Sequence, residues 1–148
     1  MEVKNLFDPL VKEVIIDRIN CLTAQSQRQW GKMDAGQMLN HCRLPIAMAM
    51  GNHEVKGSFM LRLIGPMFKS MLYNEKPYKQ GLPTDKTYIV GESKNFDEEK
   101  SQLIDNINKF TPESITVQKH PVFGKFTAEQ WGKSTWKHLD HHLRQFGV

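Results

Sequence analysis

The sequence contains few cysteines and no long hydrophobic run. Its two cysteines, Cys21 and Cys42, do not form a CxxC pair, so neither a disulfide framework nor a thiolate zinc finger is predicted. The most apolar stretches, 46–50 and 59–68, are shorter than the roughly 20 residues that a bilayer-spanning helix needs. The amino terminus has no uninterrupted apolar segment followed by a small-residue cleavage site. These absences predict a cytoplasmic protein with no membrane association.

The chain also lacks a strong excess of one charge. Its 20 Lys and Arg against 16 Asp and Glu give a net charge of +4. Several lysines are spread through a polar central connector and do not share one helical face, so nucleic-acid binding is not expected. The 148 residues, 39% of them hydrophobic, fit a single globular domain over 1–148. These connector lysines are Lys69, Lys76, Lys79, Lys86 and Lys94.

Two helix starts are well specified in the first half of the chain. Asp8 can cap a helix that begins at Pro9, because proline has no N–H to leave unpaired at the first helical position. Asp34 and Gln37 have the spacing of a capping box, which predicts a second helix running past residue 41. Pro45 removes a hydrogen bond within that helix, so a kink or an interruption is expected there.

The middle of the chain is less regular. The apolar pattern over 58–73 is helical but contains Gly65-Pro66, so one kinked helix and two short helices are both open readings. Residues 74–91 form a long connector in which only 87–90 has strand character. Apolar residues over 96–110 recur at helical spacing, with three acidic residues in the first turn, and predict a further helix.

The last helix should begin after Thr127, which has capping-box spacing to Gln130. At about 100° per residue, His142 lies within the apolar half of this helix, and His138 lies about 40° from it on the same side. The other half is predicted to be polar. It contains Glu129, Lys133, Lys137, Asp140 and Arg144.

Three histidines are predicted to converge. His138 and His142 lie one helical turn apart, so both rings can reach one ion, although an isolated pair of this spacing is more often structural. His41 occupies the buried stripe of a different helix, and three buried imidazoles without a metal would leave several polar nitrogens to satisfy. Three neutral imidazoles leave an open position on a borderline metal such as zinc. His141 is expected either at the surface or in contact with the metal-binding histidines without binding the metal itself. Gln145 either hydrogen bonds a ligand or caps the helix.

The sequence resembles the DinB/YfiT-like metal-dependent family, in a branch without a known activity. The matching segments are Met33–His41 (MDAGQMLNH), His120–Gly124 (HPVFG), and Trp131 with Trp136–Gly147 (WKHLDHHLRQFG). The resemblance implies an all-α four-helix bundle with one long crossover connection. It also implies that His41, His138 and His142 bind a divalent metal, commonly zinc or nickel.

Characterised members of the resembled family include transferases and isomerases that use low-molecular-weight thiols. A thiol-dependent transferase acting on a small molecule is therefore the preferred expectation, because no carboxylate is placed as the general base that a metal-dependent hydrolase usually needs. A hydrolase and a non-catalytic bundle that binds a ligand or partner remain alternatives. The resemblance also implies a homodimer, which the methionine-rich segment 60–71 could serve, although these methionines are as readily interpreted as core.

Overall fold

The computed structural model describes residues 1–55, 59–82 and 90–148. These residues form five α-helices: α1 (Pro9–Asn20), α2 (Ala35–Ala49), α3 (Phe59–Phe68), α4 (Phe96–Lys109) and α5 (Ala128–Gln145). Two 3₁₀ turns, Lys69–Leu72 and Pro112–Ser114, and a small antiparallel hairpin of β1 (Lys119–His120) and β2 (Gly124–Lys125) complete them. The protein is thus mostly helical, and the predicted all-α class is confirmed. No described helix combines the length and apolarity needed to cross a bilayer.

The predicted helix starts are confirmed. The Asp8 carboxylate accepts a hydrogen bond from the Leu10 N–H at 2.9 Å, and Pro9 is the first residue of α1. Complete capping boxes begin α2 at Asp34 and α5 at Thr127. These ends are encoded locally, since each cap pairs N–H groups that the helix itself cannot satisfy.

Pro45 neither ends nor divides α2, which runs without interruption from Ala35 to Ala49. Cys42 and Ile46, on either side of the proline, are 1% and 0% exposed. Packing of apolar residues before and after Pro45 therefore outweighs the loss of one backbone hydrogen bond.

Four helices enclose the main core. α4 packs against α1 and α2, and α5 packs against the same two helices. Apolar residues of all four meet in one cluster, for example Ile19, Leu39, Ile107 and Leu143, each no more than 1% exposed. Strand character had been predicted at 87–90, but this segment falls almost entirely outside the described residues.

Helix α3 lies outside this core. It is a single α-helix that contains Pro66 and continues into the 3₁₀ turn Lys69–Leu72. Of the two structures expected for this segment, one helix is therefore found and not two short helices. Its methionines are not core residues: Met60 is 72% exposed and Met67 is 80% exposed. The buried residue of this helix is Gly65, whose backbone lies so close to the Val122 carbonyl that a Cβ atom would collide with it.

Candidate metal centre

The site lies between α2 and the C-terminal half of α5. His41 is on the buried face of α2 and is 4% exposed. His138 and His142 are half-buried and lie one turn apart on α5, where the capping box at Thr127 fixes the start of the helix. Packing between the two helices therefore brings residues more than 90 positions apart in sequence into contact.

The three imidazole rings surround one point. Ring centroids are 4.9 Å apart for His41 and His138, and 4.7 Å apart both for His41 and His142 and for His138 and His142. One ring nitrogen from each histidine lies within 4.8 Å of the other two. The Nε2 atoms of His41 and His138 are 3.0 Å apart, close to the roughly 3.3 Å between two nitrogens on a tetrahedral zinc.

A hydrogen-bond relay orients His142. Its Nδ1 lies 2.8 Å from the Gln145 Oε1, while the Gln145 Nε2 donates to the Trp30 carbonyl at 2.7 Å. Because the amide nitrogen faces a carbonyl, the amide oxygen faces His142 and must accept from Nδ1–H. The Nε2 atom of His142 therefore carries the lone pair and is available to a ligand.

Burial favours neutral rings at this site. It is the largest cause that lowers the pKa of His138 well below its ordinary value, and positive charge on His142, His41 or His141 would lower it further. Burial also lowers the pKa of His142 to about 3, with the His41 charge acting in the same direction and the Gln145 hydrogen bond opposing it. Neutral imidazoles are the form that binds metal ions.

No carboxylate belongs to this cluster in the part of the chain that the structure describes. Two buried carboxylates, one between the two cluster histidines of α5 and one on α4, which packs against α2, are bound to arginines instead. Asp140 pairs with Arg18 at 2.8 Å and with Arg144 at 2.9 Å, while Glu99 of α4 pairs with Arg43 at 2.9 Å. Both carboxylates therefore balance positive charge and are not placed to act on a metal-bound group.

The polar half of α5 is partly buried. Lys137 is 1% exposed and Asp140 is 3% exposed, although both lie on the half of the helix opposite the apolar face. The Lys137 ammonium donates to the Met71 carbonyl at 2.7 Å and to the Asn74 carbonyl at 2.8 Å. Lys137 is buried because the segment after α3 supplies these carbonyls, and Asp140 is buried because Arg18 of α1 and Arg144 pair with it. Helical periodicity does not reveal such partners.

A pocket next to the cluster includes His141. This ring is half-buried and not fully at the surface, with ring centroids 5.8 Å from Trp30, 5.5 Å from Tyr78 and 5.0 Å from His142. The pocket has a volume of about 480 Å³, and Arg144 also lines it. Sequence reasoning missed Trp30 and Tyr78 because both lie in connectors without periodicity.

The other histidines and the cysteine beside His41 lie outside the cluster. His120 is 8% exposed on β1, and its Nδ1 accepts from the Val122 N–H at 3.1 Å. Burial lowers the pKa of His120 to about 4. Cys42 is 1% exposed, its Sγ lies 3.7 Å from the Met38 sulfur, and burial raises the pKa of its thiol, which agrees with a packing role.

The fold and site together define a mostly helical protein with three histidines that could hold a metal ion. Residues 8–147 match the model of a family described as "Protein of unknown function (DUF1569)", and the chain belongs to that family. Neither the curated proteins nor the solved structures provide a match to this chain.

Proposed function

We propose that the protein binds a divalent metal ion through His41, His138 and His142, and that it is a metal-dependent enzyme acting on small molecules. The observation that carries this proposal is the convergence of three ring nitrogens from two helices within 4.8 Å. The Gln145 relay supports it, because it leaves Nε2 of His142 free on the side away from Nδ1.

Zinc or nickel fits this donor set best. Neutral imidazoles suit borderline divalent ions, and three protein ligands leave at least one position for water or substrate, as catalytic sites do. A bound ion would supply Lewis acidity and favour the deprotonated form of a thiol or water. The chain itself contributes the fixed tautomer of His142 and a partly buried site.

Thiol transfer is the reaction class that we favour over hydrolysis. A metal-dependent hydrolase commonly uses a carboxylate to accept a proton from water, whereas Asp140 and Glu99 are held by arginines. A low-molecular-weight thiol is more acidic than water and needs less help from a general base. The pocket beside His141 offers space for a small molecule.

We further propose that the helices form a four-helix bundle of the DinB/YfiT type. The contacts of α1 and α2 with both α4 and α5 support this assignment, as does the position of one histidine on α2 and two on the last helix. The connection from α2 to α4 would then be the long crossover.

Metal content is the first test. Protein purified without an affinity tag should contain close to one equivalent of zinc or nickel by elemental analysis, and His138→Ala should lose it because two ligands bind far more weakly than three. His53→Ala is the matched control, since His53 lies outside the cluster. Unchanged metal content in His138→Ala would remove the proposed site.

Activity is tested separately, with metal-loaded protein and a panel of low-molecular-weight thiols against electrophilic small molecules. The proposal expects turnover that disappears in His138→Ala and after chelation. A chelator that lowers the melting temperature when no thiol supports turnover would instead identify a structural metal in a non-catalytic bundle.

A further inference from the structure

Helix α3 presents an apolar surface to the solvent. At about 100° per residue, Leu63 and Met67 lie opposite the buried Gly65, and Met60 lies next to them. Leu63 is 64% exposed and Phe59 is 76% exposed, in addition to the methionines already described. Contiguous exposed apolar side chains of this size indicate an interaction site on a folded protein.

The hairpin β1–β2 adjoins α3 and forms one surface with it. Gly65 packs directly on the Val122 carbonyl, and the Lys69 ammonium donates to the Lys125 carbonyl. A groove of about 860 Å³ between the two elements is lined by Phe59, Leu63 and other apolar residues. We call residues 59–72 and 119–125 together the α3–hairpin surface.

The charge of this surface has one sign. Its two segments contain Arg62, Lys69, Lys119 and Lys125 and no Asp or Glu, so they hold four positive charges, as many as the excess of the whole chain, 20 − 16 = 4. None of the four forms an ion pair with a carboxylate of the described residues. Arg62 and Lys119 line the groove, and Lys69 reaches the hairpin at the Lys125 carbonyl.

This charge distribution discriminates between partners. A second copy related by two-fold symmetry would bring the same four cations to the interface, and like charges brought together oppose association. An anionic lipid surface instead offers an apolar layer into which the outer face of α3 can insert. Its negative head groups can pair with the cations beside α3. A helix of 10 residues, about 15 Å long, can lie in such a surface without crossing it.

We infer that the α3–hairpin surface docks the protein on membranes that contain anionic lipids. Met60, Leu63 and Met67 enter the boundary between head groups and acyl chains, and Arg62, Lys119 and Lys125 contact the head groups. This inference replaces the expectation that the protein avoids membranes, and it does not depend on the metal site.

Vesicle co-sedimentation of the full chain tests this inference. Vesicles of phosphatidylcholine with an equal part of phosphatidylglycerol should bind the protein, those of phosphatidylcholine alone should bind it much less, and added salt should weaken binding. Met67→Glu should lower the affinity roughly ten-fold or more, because it removes an apolar anchor. Lys119→Gln should lower it about five-fold, the contribution of one cation near an anionic surface.

Matched controls come from exposed residues elsewhere. Leu10 of α1 is 72% exposed and Lys32 is exposed in a connector, so Leu10→Glu and Lys32→Gln should bind like the native protein. Thermal unfolding of each variant checks that it is folded. Failure of the native protein to bind the anionic vesicles would overturn the inference, as would equal binding by Met67→Glu. A dimer in sedimentation equilibrium that Met67→Glu dissociates would also overturn it, because a second copy would then cover this face.

Discussion

Replacement of Gln145 by leucine tests how the candidate metal centre is built. The side chain is 3% exposed and joins His142 to the Trp30 carbonyl through hydrogen bonds of 2.8 and 2.7 Å. Leucine fills a similar volume but leaves both partners unpaired. An unpaired polar group costs about 1–3 kcal/mol, and since both partners are only partly buried we expect a loss of about 2–3 kcal/mol in the free energy of unfolding.

For a chain of this length, that loss corresponds to a decrease of about 4–12 °C in melting temperature. Metal affinity should fall about 10- to 100-fold, because His142 loses the acceptor that fixes its tautomer. Calorimetric titration with zinc measures the affinity, and thermal unfolding of the metal-free protein measures the stability.

A second substitution separates the two effects. Gln145→Glu keeps an oxygen that accepts from His142 Nδ1–H but faces the Trp30 carbonyl with another oxygen, so it should lose stability while retaining metal affinity. Gln102→Leu is a control on α4, because Gln102 bonds only to Glu98 at an exposed position among its described contacts. Native zinc affinity in Gln145→Leu would refute the relay as the feature that positions His142.

Three further results are expected. Zinc at about 100 times its dissociation constant should stabilise the native protein by about 2.7 kcal/mol in thermal unfolding, and His138→Ala should abolish that gain. Burial lowers the pKa of His120 to about 4, so the unfolded chain binds more protons than the folded protein between pH 4 and about 6.5. The free energy of unfolding should therefore fall as pH decreases through this range. The decrease is up to about 1.4 kcal/mol per pH unit for each such histidine. Denaturant titrations should show a shallower decrease in His120→Asn, and a slope equal to that of the native protein would contradict this assignment. Finally, Lys137→Met leaves the Met71 and Asn74 carbonyls unpaired and should cost about 2–4 kcal/mol in the free energy of unfolding. Lys133 is half-buried and pairs only with the exposed Glu129 among its described contacts, so Lys133→Met should change that free energy by less than about 1 kcal/mol. Equal denaturation midpoints for the two variants would contradict the structural role of Lys137.

The sequence determined the local features of this protein. The starts of α1, α2 and α5 follow from Asp8, Asp34 and Thr127, because a cap is satisfied within four residues of chain and needs no tertiary contact. Helical periodicity also placed His138 and His142 on one side of α5 and His41 on the buried stripe of α2. These positions depend only on the 3.6-residue repeat.

Only the tertiary structure decided the features that join distant segments. It buried Lys137 and Asp140 by bringing carbonyls and arginines to them, and it placed Trp30 and Tyr78 beside His141. It also joined the cations of α3 to those of the hairpin, although they are spread along the sequence and seemed unrelated there. Local rules cannot anticipate such contacts, because the energy of a buried or clustered charge depends on which groups the fold brings near it.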